Sequence, residues 1–371
     1  MKIGIPREVK DNEFRVAMTP AGVHELTRGG HQVLIEQGAG VGSSLPDDDF
    51  VTAGAAVVAD PDELWAQCEL ICKVKEPVAE EYHRMRPDQV LFTYLHLAAS
   101  PECTAAVIDA GTVAIGYETV QLADGSLPLL APMSEVAGRM APQVGAHHLQ
   151  RDGGGRGVLM GGVSGVYAAK VVVLGAGVSG MNAAAIALGM QAEVLLLDKN
   201  IDKLRQADRI YQGHLQTVAS NAYEIERAVL DADLVIGAVL VPGAKAPTLV
   251  SDDLVGRMKP GAVLVDIAVD QGGCFESTRP TTHSHPTFRV RDAVFYCVAN
   301  MPGAVPHTST YALTNVTLPY VERIAGLGWR EAARRDPALA AGVNVVAGAV
   351  VCAPVAEAHG LPAHRLSEVA A

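Results

Sequence analysis

Several short stretches of this 371-residue chain carry residue types that could do chemistry. The sequence Gly175-Ala176-Gly177-Val178-Ser179-Gly180 follows the apolar run Val171-Val172-Val173-Leu174. It opens a small-residue helix, Met181 to Leu188, that stops at Gly189. A second apolar run, Val194-Leu195-Leu196-Leu197, ends in Asp198, eighteen residues after Gly180. In a strand–turn–helix setting this is the spacing of a dinucleotide cradle. Gly175 makes the tight turn, Gly177 lets a pyrophosphate approach the backbone, and Gly180 lets helix and strand pack closely. The helix N-terminus supplies amide donors and positive dipole to the phosphates. Asp198 can accept from a ribose 2′-hydroxyl, and its charge repels a 2′-phosphate. NAD is therefore expected over NADP, with Lys199 and Lys203 nearby as the residues that argue the other way.

A different set of groups lies in the first hundred residues. Arg15 stands between apolar neighbours in Asn12-Glu13-Phe14-Arg15-Val16-Ala17. Lys75 ends the run Cys72-Lys73-Val74-Lys75, and His96 ends Phe92-Thr93-Tyr94-Leu95-His96. An Arg and a Lys together make a carboxylate clamp, the one a planar fork and the other a point charge. An imidazole that titrates near neutrality suits proton transfer. Taken singly, Arg15 and Lys75 read as solvated surface cations and His96 as a half-buried structural histidine. Their shared placement at the ends of parallel strands adds some weight to the chemical reading.

Ligands of open parallel sheets bind beyond the carboxyl ends of the strands. In the second half of the chain those ends read Val239-Leu240-Val241-Pro242-Gly243, Ala268-Val269-Asp270-Gln271-Gly272-Gly273 and Ala299-Asn300-Met301-Pro302. They are expected beside the nicotinamide half of the dinucleotide. Asp270 is the acid among them, and it reads equally as a group at the reacting end or as a turn cap before glycine. A second glycine cluster, Gly38-Ala39-Gly40-Val41-Gly42, has its third glycine misplaced, and Ser43-Ser44-Leu45-Pro46 after it does not open a helix. It reads as a plain loop. His147-His148 and His283-x-His285 lack the spacing and carboxylate company of a metal site, so no metal is assigned.

The elements that must position these groups alternate in a βαβ rhythm, which implies mainly parallel sheets covered on both faces. Strands are expected at 2–5, 32–36, 55–58, 70–74, 90–95 and 113–117. Helices are expected from Pro20, with Thr19 as its N-cap and Gly29-Gly30 as its stop, and at 61–67, 79–85 and 101–110. A long helix from about Ser134 to Gln150, bent at Pro142, leads to the second series of strands at 170–174, 193–197, 215–218, 234–238, 262–267 and 293–298. After Pro306 the chain reads as helical to its end. The expected architecture is two doubly wound α/β domains, the second a Rossmann-type NAD-binding domain inserted into the first. Residues 1–128 plus 307–371 would form a substrate domain and residues 129–306 the nucleotide domain, with a ligand cleft between them.

Composition narrows the function classes. Lys+Arg 29 against Asp+Glu 41 leaves a net charge of −12, which disfavours a nucleic-acid backbone or an anionic membrane surface as partner. No secretory leader and no membrane-spanning run is read, and the six scattered cysteines read as reduced thiols of a cytoplasmic protein.

Together these residues resemble alanine dehydrogenase, nearly end to end. The likeness runs through Gly4-Ile5-Pro6-Arg7-Glu8, Asn12-Glu13-x-Arg15-Val16, Lys73-Val74-Lys75-Glu76-Pro77, Leu95-His96-Leu97-Ala98, Pro132-Met133-Ser134-Glu135-Val136-Ala137-Gly138-Arg139, Asp266 to Gly273 and Asn300-Met301-Pro302. The glycine loop is shared with the related nucleotide-binding part of the membrane transhydrogenase. The Arg15, Lys75 and His96 set looks like the dehydrogenase. The resemblance implies that Arg15 and Lys75 hold a substrate carboxylate, that His96 moves the proton and that Asp270 is the second catalytic residue. It implies cofactor contacts from Ser134, Val178, Asp198, Lys203, Ser220, Val239, Leu240, Ile267, Ala268, Val269, Asp270, Arg279, Val298, Ala299, Asn300 and Met301. The reaction implied is reversible NAD-dependent oxidative deamination of L-alanine to pyruvate and ammonium, in a homohexamer. The alternatives are a transhydrogenase-like NAD-binding subunit, a non-catalytic NAD-sensing module and a dehydrogenase for another amino acid, such as glycine.

Overall fold

The computed structural model describes residues 1–239 and 246–369. In chain order the first stretch holds β1 (Lys2–Ile5), α1 (Pro20–Arg28), β2 (Gln32–Glu36), α2 (Asp47–Thr52), β3 (Ala56–Val58), α3 (Pro61–Gln67), β4 (Leu70–Cys72), β5 (Val90–Thr93), α4 (Pro101–Ala110) and β6 (Val113–Gly116). The long helix α5 (Ala131–Leu149) carries the chain into β7 (Lys170–Leu174), α6 (Val178–Gly189), β8 (Glu193–Asp198), α7 (Ile201–Tyr211), β9 (Gln216–Ala219), α8 (Ala222–Asp231), β10 (Leu234–Gly237), α9 (Asp252–Gly256), β11 (Val263–Asp266), β12 (Thr287–Val290) and β13 (Ala293–Tyr296). The return segment holds α10 (Pro306–Leu327), α11 (Trp329–Arg335), α12 (Pro337–Gly342), β14 (Val343–Val346), β15 (Ala349–Val350), α13 (Ala353–His359) and α14 (Leu366–Val369). Residues Met1–Met133 with Val305–Ala371 form one compact unit, and Ser134–Ala304 form the other. Both are doubly wound α/β folds, as the βαβ rhythm implies.

The first unit is built on an eight-stranded sheet of order β15-β14-β6-β5-β4-β1-β2-β3. Strands β1 to β6 are mutually parallel. The chain winds outward from β1 to β3, then returns to lay β4 on the other side of β1. The crevice beyond the carboxyl ends of β1 and β4 is thus the point where strand order reverses. Local chemistry set α1 where the sequence reads it: Thr19 accepts the Gly22 amide as N-cap and Pro20 fills the first position.

The second unit repeats the same winding in a seven-stranded sheet, β12-β13-β11-β10-β7-β8-β9. Its reversal lies between β7 and β10, which pair in parallel from Val171↔Leu234 to Leu174↔Gly237. Apolar layers cover both faces, one including Val171, Val173, Leu196 and Ile236, the other Val172, Leu174, Val235 and Leu264. Strands buried on both faces read as unbroken apolar runs, which is why they are visible in the sequence.

Four expectations need correction. The segment after Pro306 is not helical throughout. β14 and β15 form an antiparallel hairpin whose inner strand pairs antiparallel with β6 and extends the first sheet. The expected helix at 79–85 is only a single 3-10 turn, Tyr82–Arg84. The preceding chain is instead pinned by Glu81, which accepts the Val78 amide at 3.1 Å and pairs with buried Lys73. The antiparallel edge strand β12 was not read at all. After the second glycine cluster a short helix does form, one residue past Pro46, with Asp47, Asp48 and Asp49 on its positive end. No helix among the described residues is long and apolar enough to cross a membrane.

Candidate active site

In the second unit the glycine loop joins β7 to α6, and each glycine has a distinct steric reason. Gly175 has φ +106°, where a side chain is strained, and a Cβ there would meet the Ala238 carbonyl oxygen at 2.7 Å. At Gly180 a Cβ would lie 1.7 Å from the Gly175 carbonyl oxygen. At Gly177, the residue capping α6, a Cβ would meet nothing within 4 Å. Two glycines therefore close the turn, and the third opens space in front of a helix N-terminus. That space fits a pyrophosphate. The second glycine cluster is different: the Gly38 amide donates to the carboxylate of Asp47, so the chain's own anion occupies that loop.

Asp198 sits at the end of β8. One of its oxygens accepts the Ala176 amide at 2.7 Å and the other the Asn200 amide at 2.7 Å. It thus braces the glycine loop, and a carboxylate retains further lone pairs for a ribose hydroxyl. The Ser220 amide donates to the Asp198 carbonyl, joining the ends of β8 and β9. Lys203 is exposed on α7, and Val178 is exposed at the start of α6. Helix α5, which begins just before the half-buried Ser134, lies directly on the glycine loop. A Cβ at Gly138 would come within 2.3 Å of the Ser179 carbonyl oxygen, and Arg139 donates to Asn182 Oδ1 at 2.8 Å.

The remaining expected cofactor contacts lie beyond neighbouring strand ends of this sheet. Val239 follows β10, and a Cβ on Gly175 would lie 3.1 Å from its side chain. Leu240 lies outside the described residues. Ile267, Ala268, Val269 and Asp270 follow β11, with Val269–Gln271 in a 3-10 turn and Asp270 exposed. Val298 and Met301 are buried beyond β13, with Ala299 and Asn300 half-buried between them. The Asn300 carbonyl is 2.8 Å from His283 Nε2. Arg279 stacks over the Phe288 ring at 4.4 Å. Asp266 was not read as a site residue, yet it staples both ends of the Asp270 loop. Its oxygens accept the Ala268 amide at 3.0 Å, the Cys274 amide at 2.8 Å and the Thr278 hydroxyl at 2.5 Å. Burial raises its titration, and these hydrogen bonds oppose the rise.

In the first unit, no glycine loop follows β1. Pro6, Arg7 and Glu8 stand there instead. Glu8 is buried in the crevice and accepts the Val74 amide at 2.6 Å and the Lys75 amide at 3.4 Å. It also faces Lys73, which is fully buried at 3.2 Å from Glu8 and 2.8 Å from Glu81. Burial pushes the Glu8 carboxyl up to about 7, although Lys73 and the Val74 amide pull the other way. Burial also works against the charge on Lys73, and the two glutamates outweigh it. Lys73, Glu8 and Glu81 thus form a buried scaffold on which the half-buried Lys75 is carried.

His96 and Lys75 come from adjacent strand ends, since β4 and β5 are paired and Thr93 Oγ1 donates to the Lys75 carbonyl at 2.9 Å. The His96 ring lies with Nδ1 3.4 Å from Glu76 Oε2. Glu76 is also paired with Lys10. Burial opposes the charge on Glu76, but His96, Lys75 and Lys10 outweigh it and hold its carboxyl at about 2. An ionised carboxylate only accepts, so this contact is a hydrogen bond only when Nδ1 carries the hydrogen. The Tyr94 ring lies 5.9 Å from the imidazole, and its hydroxyl donates to the Leu129 carbonyl at 2.6 Å.

Arg15 is buried, only 2% exposed; burial works against its charge, and the paired Glu13 outweighs burial and pushes the guanidinium's titration up. The residues on either side of it are held from elsewhere in the unit. The Val16 amide donates to Thr310 on α10 at 3.1 Å, and Ser43 donates to the Phe14 carbonyl at 2.9 Å. The structure therefore gathers Arg15, Lys75 and His96 in one unit, with Asp270 and the glycine loop in the other. Sequence reading missed Glu8, Glu13, Lys73, Glu76, Glu81 and Glu118, which surround the first set. For Glu8, Glu13 and Glu76 the signal was present as acids interleaved with the cations of the same short motifs, whereas Glu81 and Glu118 lie outside those motifs.

Residues 4–137 match the family described as alanine dehydrogenase/PNT, N-terminal domain, and residues 141–353 match its C-terminal domain. The chain is 65% identical to an alanine dehydrogenase of Mycobacterium tuberculosis over 98% of each. A solved structure named L-alanine dehydrogenase superposes with TM-score 0.94 at 50% identity, covering 97% of this chain and 99% of that one. A transhydrogenase from Sinorhizobium meliloti superposes with TM-score 0.80 at 27% identity, covering 95% of this chain and 99% of that one.

Proposed function

Because the chain belongs to the alanine dehydrogenase/PNT family, we propose that it is an NAD-dependent L-alanine dehydrogenase, interconverting L-alanine with pyruvate and ammonium. One observation carries the reading beyond nucleotide binding. The first unit shares the second's central winding but replaces the glycine turn with Glu8, sets Lys75 and His96 at adjacent strand ends and buries Arg15 in the loop after β1. A module that only bound nucleotide would have no use for that set.

The nucleotide, when bound, accepts hydride from the substrate Cα at nicotinamide C4. Gly175, Gly177, Val178 and Gly180 would cradle its pyrophosphate, and Asp198 its adenosine ribose. Ser134, Lys203, Ser220, Val239, Leu240, Ile267, Ala268, Val269, Asp270, Arg279, Val298, Ala299, Asn300 and Met301 complete the proposed contacts. Arg15 and Lys75 hold the alanine carboxylate. Orientation matters, because hydride leaves Cα only when Cα faces the acceptor carbon. His96 Nε2 takes the proton that the ammonium must shed before its lone pair can drive the transfer. Hydride loss leaves iminopyruvate. Water adds to it, with Asp270 orienting the water and His96 relaying protons, and the carbinolamine collapses to pyruvate and ammonia. A positioned base contributes about 10²–10⁴ in rate.

The direct test follows NADH absorbance with pyruvate and ammonium, each omitted in turn, and then with glyoxylate in place of pyruvate. Oxidation of NADH that requires both co-substrates supports the assignment. Hydride exchange between nucleotides without pyruvate would identify a transhydrogenase-type subunit instead, and faster turnover of glyoxylate would reassign the substrate to glycine. The same reading includes a cytoplasmic homohexamer, which sedimentation equilibrium of the purified chain measures.

A further inference from the structure

Resting on the reading of His96 as the proton carrier, the geometry points to Glu118 as the residue that positions it, by hydrogen-bonding the left-handed turn from which the imidazole projects. His96 has φ 48° and ψ 32°. A residue with a Cβ pays about 1–2 kcal/mol for that region, so it persists only where its surroundings impose it. Glu118 is what imposes it. Its Oε1 accepts the His96 amide at 2.7 Å and the Leu95 amide at 3.1 Å, and its Oε2 lies 3.2 Å from the Leu95 nitrogen. Two successive amides converging on one anion make a nest whose occupant is part of the chain itself.

Glu118 is in turn fixed from two directions. It sits in the 3-10 turn Tyr117–Thr119 that follows β6, so the pairing of β5 with β6 sets its distance from His96. The next residue, Thr119, donates to the Gly342 carbonyl at 3.1 Å and accepts from Asn344 Nδ2 at 2.7 Å. Asn344 lies on β14, so the C-terminal hairpin anchors the turn that holds His96. Glu118 seats the backbone while Glu76 orients the ring through Nδ1. Neither carboxylate need touch substrate for the imidazole to be misplaced when one is lost, and a displacement of about 1 Å costs on the order of 10²-fold in rate.

The test compares Glu118→Ala and Glu118→Gln in the full-length enzyme, measuring kcat and KM for pyruvate amination, NADH affinity by fluorescence and the thermal unfolding midpoint. Oε1 accepts both amides, the Leu95 amide being shared with Oε2, so a Gln side-chain carbonyl in the place of Oε1 keeps the shorter bond to each amide. Glu118→Gln is expected to stay within about fivefold of native kcat, while Glu118→Ala loses roughly 10²-fold with NADH affinity unchanged. The Ala substitution is then repeated in a His96→Ala background, where it is expected to add no further loss. A Glu118→Ala enzyme with native kcat, a Glu118→Gln enzyme as impaired as the Ala form, or a full additional loss without His96 would each overturn the assignment. If His96→Ala itself turns over normally, the failure belongs to the underlying reading of His96 and not to Glu118.

Discussion

Both carboxylate oxygens of Glu13 grip the guanidinium of Arg15, at 2.6 Å to Nε and 2.5 Å to Nη2, with both side chains buried. The third nitrogen, Nη1, is 3.0 Å from Met133 Sδ, and a thioether is a weak acceptor. The Glu13 fork therefore fixes the plane in which the guanidinium lies. Removing one partner of a buried ion pair typically costs about 3–5 kcal/mol. Glu13→Gln is expected to lower stability to denaturant by an amount of that order and to raise KM for pyruvate, with NADH affinity retained. Native stability and KM in this variant would show that Glu13 does not set the fork.

Under the proposed mechanism Lys75 and His96 divide the work, so their losses should look different. His96→Ala is expected to lower kcat by about 10²–10⁴ while NADH still binds. Lys75→Ala is expected to raise KM for pyruvate with NADH binding retained. Steady-state kinetics with a separate NADH titration separates the two, and parallel loss of nucleotide binding in either variant would indicate misfolding instead.

The glycine loop offers a paired experiment. A methyl group at Gly177 meets nothing within 4 Å, whereas one at Gly180 would collide with the Gly175 carbonyl oxygen. Gly177→Ala should fold with near-native stability and lose nucleotide affinity. Gly180→Ala should lose both. Thermal unfolding alongside NADH titration measures this, and a Gly177→Ala protein that binds NADH normally would remove the pyrophosphate from that space.

Glu76 makes stability depend on acid pH. A carboxyl that titrates at about 2 when folded, against an ordinary 4.5, stabilises the fold wherever it is ionised in both states. That contribution is complete above about 4.5 and fades as pH falls through about 2, and it is on the order of 3 kcal/mol. Glu76→Gln should therefore be less stable than native at neutral pH, with the gap closing through this window. Urea unfolding at stepped pH follows it, and a gap that does not narrow would mean that the ion pair with Lys10 and the contact with His96 are not its source.

How much of this was legible without coordinates follows from how far each interaction reaches along the chain. Thr19, Pro20 and Gly29 act on residues within a single turn, so the first helix could be read to its ends. The doubly buried strands Val171–Leu174 and Leu234–Gly237 announce themselves as unbroken apolar runs. The short helix over Asp47–Thr52 and the hairpin Val343–Val350 could not be read the same way. The first depends on Asp47 answering the amide of Gly38, and the second on pairing with a strand more than two hundred residues earlier.

The sequence by itself carried the two windings and the glycine turn, because residue type and short spacing hold that information, and the resemblance of its motifs named Arg15, Lys75, His96 and Asp270 as candidates. Tertiary structure alone decided what surrounds them. Glu118 is 22 residues from the imidazole it seats, and Glu8 is 67 residues from the Lys75 amide it accepts. Burial decides whether such a carboxylate is a solvated charge or a fixed support, and burial is a property of the packed sheet, which no local spacing encodes.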